Sequence, residues 1–275
     1  MRVILGDIRD YDSVSKAMKE CDAVFHLAAL IGIPYSYLSP LAYIRTNVEG
    51  TYNVLESAKN LGLEQVLITS TSETYGTAKY VPIDENHPLV GQSPYSASKI
   101  AADQFAMSFY KSFNLPVKIV RPFNTYGPRQ SARAVIPTII SQLLNKGNNI
   151  ELGNLLPTRD LTYIEDTCNG FLDIFNSDSL SGEITNIGMN TEISIGDLVK
   201  LIAKIMNVDI NIESSEERIR PVNSEVERLV CDNSKLMQHT SWKPRYTLED
   251  GINKVVEWMK NPLNLKSYKS EQYNV

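Results

Sequence analysis

The chain has 275 residues, 43% hydrophobic and 21% charged, with a formal net charge of −5. That length supports one large domain or two modest ones with a real core, and an acidic balance without a basic run argues against nucleic acid or an anionic membrane as partner. No apolar run approaches the ~18 residues of a membrane span and no charged-then-apolar start suggests secretion, so a cytoplasmic protein is expected. Cys21, Cys168 and Cys231 are odd in number and far apart, which argues against a disulfide framework or a zinc site, and no metal is expected.

Arg2-Val-Ile-Leu5 reads as a strand, with Gly6 to Asp10 as its exit and Asp12 capping a short helix to Lys19. Ala23 to Leu27 is the next strand, closing in Ala28-Ala29, and a long helix follows from about Pro40 to Leu61 with Gly62 as its stop. Gln65 to Thr69 and Val117 to Val120 are two further apolar strands. Between them Ser93 and Pro94 give a helix-start signal, a capping hydroxyl followed by a residue that needs no N–H in the first turn. The order β-α-β-α-β-α-β predicts a parallel sheet covered by helices, an α/β doubly wound fold.

From about Asn145 the pattern loosens, without a linker or repeat to mark a boundary. Val135 to Lys146 is helical and ends at Gly147; Thr158 to Asp166 is a strand leading into a helix capped near Asp166; Ser194 and Asp197 approximate a capping box for Ile195 to Met206. Glu213 to Arg228 is polar, Thr247 caps a last helix to Met259, and the tail beyond Pro262 is expected to fray.

In such sheets ligands settle outside the carboxyl ends of the strands. Three exits are polar and specific: Asp7, Ser70-Thr-Ser-Glu-Thr-Tyr-Gly76, and Arg121-Pro-Phe-Asn-Thr-Tyr-Gly127. On the helix that opens at Ser93, Tyr95 and Lys99 are four apart and share a face. A nearby ammonium favours phenolate and lowers a tyrosine pKa, which makes Tyr95 a candidate general base for an alcohol.

Phe25-His-Leu-Ala-Ala29, Asn47-Val-Glu-Gly50, Ser70 to Gly76, Tyr95-x-x-x-Lys99, Arg121-Pro-Phe-Asn124 and Thr158-Arg-Asp160 occur in the order of the extended short-chain dehydrogenase/reductases. Over essentially its whole length the chain resembles their sugar-nucleotide dehydratases, above all the hexosamine-nucleotide 4,6-dehydratases of nonulosonate (legionaminic acid-type) pathways. The resemblance implies a Rossmann-like domain over residues 1–145 that binds NAD and carries the catalytic residues. It also implies a smaller, interwoven sugar-nucleotide-binding α/β region over 146–275.

Position by position, the resemblance places Asp7 and Ile8 at the adenine, and Leu27, Ala28 and Ala29 near the cofactor ribose and pyrophosphate. Asn47 holds the active-site geometry from its helix, and the backbone after Pro122 meets the nicotinamide amide. Tyr95 is the base and Lys99 its ribose-bridging partner. For the substrate it implies Ser72, Arg159 and Arg220, with Asn124 at the sugar phosphate and Arg133 assisting; guanidinium forks match phosphate oxygens. His26, ending a buried strand, reads as structural. A homodimer through a four-helix contact of the Pro40–Leu61 and Tyr95–Phe113 helices is implied in the same way.

The resemblance also implies a reaction. Tyr95, assisted by Thr71, takes the proton of the sugar 4-hydroxyl as the C4 hydrogen passes to NAD. Glu73 then removes the acidified C5 proton and protonates the departing 6-hydroxyl, and C6 receives the hydrogen back. Many glucose-nucleotide dehydratases carry an aspartate before this glutamate, where this chain has Ser72; Glu73 then serves as both base and acid. The Ser-Glu pair also occurs in uronic-acid nucleotide decarboxylases, whereas simple 4-epimerases usually lack a carboxylate there, so the ranking is dehydratase, decarboxylase, epimerase. Neither a uridine nor a guanosine carrier is favoured.

One departure stands out. The family opens with a strand, a glycine-rich turn and a helix whose N-terminus receives the pyrophosphate, and the expectation is that this chain begins at the family's third strand, about 50 to 60 residues in. Two readings follow: the bulk of a dehydratase whose chemistry belongs to a longer protein, or a chain that cannot hold NAD and acts as a sugar-nucleotide binder or partner subunit. The presence of Thr71, Glu73, Tyr95 and Lys99 together favours the first.

Overall fold

The computed structural model describes residues 2–215 and 221–269. Arg2 to Leu5 joins no ladder, and Val3 and Leu5 are 75% and 95% exposed, so the expected first strand does not form. An extended run is held as a strand only by a hydrogen-bonded neighbour, and none of the described residues pairs with it.

Helix α1 (Tyr11–Met18) opens at Asp10, whose carboxylate accepts the N–H groups of Asp12 and Ser13. The cap is therefore Asp10 and not Asp12, since the capping oxygen must precede the first turn to meet its orphan donors. Strand β1 (Ala23–His26) leads to α2 (Ile33–Leu38). The long helix predicted from Pro40 is built in three pieces: α3 (Pro40–Tyr43), a π-helical turn over Ile44–Glu49, and α4 (Gly50–Leu61). Gly62 stops it with φ 71, a left-handed conformation open to glycine at no steric cost. Then come β2 (Gln65–Thr69), a 3₁₀ turn at Ser72–Tyr75, α5 (Pro94–Phe113) and β3 (Val117–Pro122).

The second half runs β4 (Asn124–Tyr126), α6 (Val135–Lys146), β5 (Asn149–Leu152), β6 (Thr158–Arg159), β7 (Leu161–Tyr163), α7 (Ile164–Asn176) and β8 (Ile184–Ile187). It continues with β9 (Ile193–Ser194), α8 (Ile195–Met206), β10 (Asn211–Ser214), β11 (Arg228–Leu229), α9 (Ser234–His239), α10 (Leu248–Lys260) and α11 (Pro262–Leu265). Asp166 does not cap α7; it sits in the first turn and accepts the N–H groups of Arg245 and Tyr246. As far as residue 269 the tail does not fray, because α11 forms and Tyr268, 8% exposed, donates its hydroxyl to Gln130 O at 2.8 Å; residues 270–275 lie outside the described residues.

The main sheet is parallel in the order β1-β2-β3-β8, with Val66 opposite Val117 and Ile119 opposite Ile184. Successive side chains of a strand point to opposite faces, and here both faces are apolar. Val66, Ile68, Val117 and Ile119 pack under α4 and α5 with Leu55, Ala58, Ala106 and Phe109. Leu67, Val120 and Ile187 face the other way, onto Ile174 of α7, Leu236 of α9 and Trp242. Burial on both sides is what covered parallel sheets require, each fully buried Ile or Leu contributing roughly 1.5–3 kcal/mol. The fold is thus a Rossmann-like α/β structure with helices on both faces.

A second core joins α6, β5, α8 and α10 through Ile139, Ile150, Leu198, Ile202, Ile252 and Val256. Among the described residues three small sheets border it: β4-β7, β5-β10 and β11-β6-β9. The halves interweave, since β8 returns to the main sheet while α6 packs into the second core. This brings the exits of β2 and β3 under the loops of the second half.

Candidate active site

Ser93 and Ser96 form a reciprocal capping box at the start of α5, which fixes the helix N-terminus next to the exit of β2. One turn inside, Tyr95 and Lys99 are 7% and 3% exposed. The Lys99 ammonium donates to Thr69 O at 2.6 Å, binding α5 to the last residue of β2. Thr71 then caps the 3₁₀ turn by accepting Glu73 N–H at 3.3 Å, and its side chain acts on the Tyr95 phenol. Gly76 ends the turn at φ 65, where a side chain would be strained. Thr71, Glu73, Tyr95 and Lys99 therefore converge at one strand edge.

The lowering of the Tyr95 pKa expected from Lys99 is not what this arrangement produces. Burial pushes the phenol well above its ordinary value, Thr71 pulls it back, and the Glu73 charge adds to the rise. Burial likewise depresses the Lys99 ammonium, with Asp103 opposing. The cause is geometric: the Lys99 hydrogen bond goes to a backbone carbonyl, and desolvation of both groups outweighs it.

Asn47 lies in the π-helical turn and is 1% exposed. Its amide accepts Leu30 N–H at 2.8 Å, donates to Leu30 O at 2.9 Å, and donates to Ser98 Oγ at 3.0 Å. Ser98 in turn donates to Tyr95 O. The exit of β1 and the catalytic turn of α5 are thereby tied through one side chain. Tyr43 stands edge-on to Tyr95 with ring centroids 6.2 Å apart and donates its hydroxyl to Gly32 O. His26 is buried beneath this layer, its Nε2 on the Thr51 hydroxyl at 3.0 Å. Thr51 donates onward to Asn47 O, so His26 supports Asn47 and faces no open cleft.

The other predicted residues fall in two groups. At the exit of β1, Leu27 and Ala28 are exposed and Ala29 is partly so, an open ledge of small side chains. Asp7 is exposed and its carboxylate pairs with Arg9 at 2.5 Å, while Ile8 packs where a Cβ on Gly50 would stand. Pro122 ends β3, and Asn124 begins β4 with a buried Oδ1 that has no hydrogen-bond partner among the described residues. Ser72 is 3% exposed, inside the 3₁₀ turn.

Arg133 comes from the loop before α6, and its guanidinium lies beside Gly32 and Tyr43, close to the Tyr95 layer. Arg159, on β6, makes an ion pair with Glu225 at 3.3 Å. The 224–225 segment is tied to the first half of the chain: Thr77 donates to Glu225 O, and the Ser224 hydroxyl bonds the Tyr37 hydroxyl and donates to Gln92 O. Arg220 lies outside the described residues.

Sequence reasoning overlooked the Asp103 carboxylate, fully buried on α5, and its ion pair with Arg121, as well as the Tyr37–Ser224 contact. Asp103 had a readable signal, since it follows Lys99 by four positions on the same helical face. Tyr37 and Ser224 are far apart in sequence and carried none.

The match to known proteins is extensive. Residues 1–255 match the family model described as GDP-mannose 4,6 dehydratase. A dTDP-glucose 4,6-dehydratase of Streptomyces antibioticus is 31% identical over 259 residues, covering 94% of this chain and 76% of that protein. Among solved structures, the dTDP-glucose 4,6-dehydratase DesIV of Streptomyces venezuelae, with NAD and TYD bound, superposes with a TM-score of 0.87 at 27% identity, over 97% of this chain and 81% of that one. The UDP-glucuronic acid 4-epimerase of Bacillus cereus, in complex with UDP-glucuronic acid and NAD, gives a TM-score of 0.85 at 28% identity, over 93% and 80%. By fold, motif order and family match, the chain belongs to the GDP-mannose 4,6-dehydratase family of NAD-dependent sugar-nucleotide epimerases and dehydratases.

Proposed function

We propose that the chain carries out NAD-dependent 4,6-dehydration of a nucleotide-linked hexose or N-acetylhexosamine, giving the 4-keto-6-deoxy sugar. The observation that carries the reading is the carboxylate of Glu73 held on the same 3₁₀ turn as Thr71, whose hydroxyl favours the charged form of Tyr95. Oxidation at C4 needs a base on the hydroxyl; loss of water across C5 and C6 needs in addition a carboxylate, and the turn supplies it.

Buried polar groups without partners fit a nicotinamide ribose. Among the described residues Lys99 makes one hydrogen bond with its three N–H donors, and Thr69 Oγ1 beside it is buried without a partner. Lys99 would hold the ribose, Ala28 and Ala29 would flank the pyrophosphate, Asp7 and Ile8 the adenine, and the backbone after Pro122 the carboxamide. When bound, NAD supplies the reversible oxidation of the sugar, out at C4 and back at C6, with no net redox change.

Tyr95 takes the proton of the 4-hydroxyl, and Thr71 stabilises the resulting phenolate. Glu73 takes the C5 proton and passes one to the departing 6-hydroxyl. Asn124, Ser72, Arg133, Arg159 and Arg220 are assigned to the sugar nucleotide, and Arg159 would exchange part of its bond to Glu225 for phosphate oxygens. The relatives' names span dTDP-, UDP- and GDP-linked sugars, so the carrier is left to a comparison of all three.

The protein is read as a cytoplasmic homodimer. Ile44, Tyr52, Phe105 and Phe113 are 54%, 42%, 43% and 53% exposed along the π turn, α4 and α5, and pairing these helices with a second copy would cover them; sedimentation velocity tests this. A second reading, 4-epimerase, is supported by the likeness to a UDP-glucuronic acid 4-epimerase, and the Ser72-Glu73 pair keeps a decarboxylase beside it. Product analysis separates the three: loss of water, inversion at C4, or loss of carbon dioxide.

A further inference from the structure

The turn that carries Glu73 is held from outside at both of its ends. At the entry, Ser70 donates its N–H to Val120 O at 2.7 Å and its hydroxyl to Asp103 Oδ2 at 2.7 Å. Within the turn Ser72, Thr74 and Tyr75 are buried, whereas Glu73 is half-buried and its carboxylate makes no hydrogen bond among the described residues. No partner fixes the Glu73 side chain directly, so its aim depends on the backbone of the turn.

At the exit stands Tyr75, fully buried. The Arg121 guanidinium lies over its ring, 4.9 Å from the centroid, and its hydroxyl donates to Asn186 Oδ1 at 2.8 Å. Arg121 and Asn186 face each other in the β3-β8 ladder, so one tyrosine spans a single rung of the main sheet. Both partners are fixed from elsewhere. Arg121 is paired with Asp103 at 2.8 Å. Asn186 gives its N–H to the Glu85 carboxylate at 2.8 Å and its side-chain amide to Ile83 O at 3.2 Å. Burial pushes the Tyr75 phenol up to about 12, so the hydroxyl remains a donor at neutral pH.

We propose that Tyr75 is a positioning residue for the elimination step: through its hydroxyl on Asn186 it anchors the exit of the 3₁₀ turn to β8 and so aims the Glu73 carboxylate. The proposal rests on the dehydration reading given above. The groups assigned to C4 oxidation have other supports, since Thr71 precedes the turn and Tyr95 and Lys99 belong to α5, whose start is set by its own capping box. A reacting group displaced by about 1 Å can lose on the order of 10²-fold in rate, and here that loss falls on proton removal at C5.

Two variants cut the bond from opposite sides: Tyr75→Phe keeps the ring on Arg121, and Asn186→Ala keeps the tyrosine. Amide hydrogen exchange on the full chain reports the turn through Thr74 N–H, bonded to Thr71 O, and Gly76 N–H, bonded to Glu73 O. In both variants these two amides are expected to exchange about tenfold faster or more, as loss of a buried hydrogen bond permits, with the amides of β2 and α5 unchanged. With NAD and a nucleotide sugar that the parent converts, nicotinamide reduction by Tyr75→Phe should stay within about twofold of the parent while water loss falls about tenfold or more, so that reduced nicotinamide accumulates. A side chain that only supports the fold would lower both rates together. Turn amides that exchange as in the parent, a rise shared equally by β2 and α5, or an unchanged ratio of water loss to oxidation overturns the proposal. If the parent converts no nucleotide sugar, the dehydration reading fails, while the exchange of the turn amides still decides whether Tyr75 anchors the turn.

Discussion

Asn47 holds Leu30 from both sides, accepting its N–H at 2.8 Å and donating to its carbonyl at 2.9 Å. The π-helical turn over Ile44–Glu49 carries Asn47 toward Ser98 of α5 as well. Asn47→Ala strands two partly buried backbone groups, and urea denaturation should record a loss of about 2–3 kcal/mol. Asn47→Asp keeps the acceptor for Leu30 N–H and loses both donors, so it should cost less stability and still slow turnover, since Ser98 no longer fixes the first turn of α5.

Glu73→Gln keeps the shape of the 3₁₀ turn, because the cap runs through Thr71 and the Glu73 backbone. Cofactor binding should be retained and reduced nicotinamide should accumulate, visible in the near-ultraviolet, while water loss falls by roughly 10²–10⁴-fold. Dehydration at close to the parental rate would remove Glu73 from the role of C5 base.

Tyr95→Phe removes the phenol and keeps its edge contact with Tyr43. Oxidation at C4 should stop, with the fold intact by circular dichroism. Burial holds the Tyr95 pKa high, so in the parent the rate of C4 oxidation should climb with pH until Lys99 loses its proton. Nicotinamide reduction at the parental rate in the variant would contradict the assignment.

His26 gives a pH-dependent stability with a definite sign. Burial and the charge of Lys99 lower its pKa from 6.5 to about 3. Below the unfolded value the unfolded chain takes up a proton that the folded chain refuses, so stability falls as pH drops from about 6.5 towards about 3. His26→Gln can still bond the Thr51 hydroxyl and does not titrate; its unfolding free energy should lose less over this window, by on the order of a few kcal/mol at the acid end. Parallel curves for parent and variant would show that His26 titrates normally.

Much of this arrangement was legible in the sequence, for local reasons. Ser93-Pro94 set the start of α5, Gly62 the end of α4, and the apolar runs at Gln65–Thr69 and Val117–Val120 could only be buried strands. Arg2 to Leu5 went astray because strand-like composition does not supply a pairing partner. The Tyr95 pKa went astray because spacing along a helix says which groups are neighbours and nothing of how dry they are. Long-range bonds such as Arg121 to Asp103 and Ser224 to Tyr37 depend on the packing of separate elements, and residue types along the chain do not encode them visibly.

The central claim is that Glu73 and Tyr95 together dehydrate a nucleotide sugar. Its most direct test is to incubate the chain and NAD with dTDP-glucose, UDP-N-acetylglucosamine and GDP-mannose, each deuterated at C4, and to analyse the products by mass spectrometry and NMR. The account predicts, for one of them, a product lighter by one water with the deuterium moved to C6. A C4 epimer that keeps its deuterium at C4, or bound NAD with no conversion of any of the three, would contradict it.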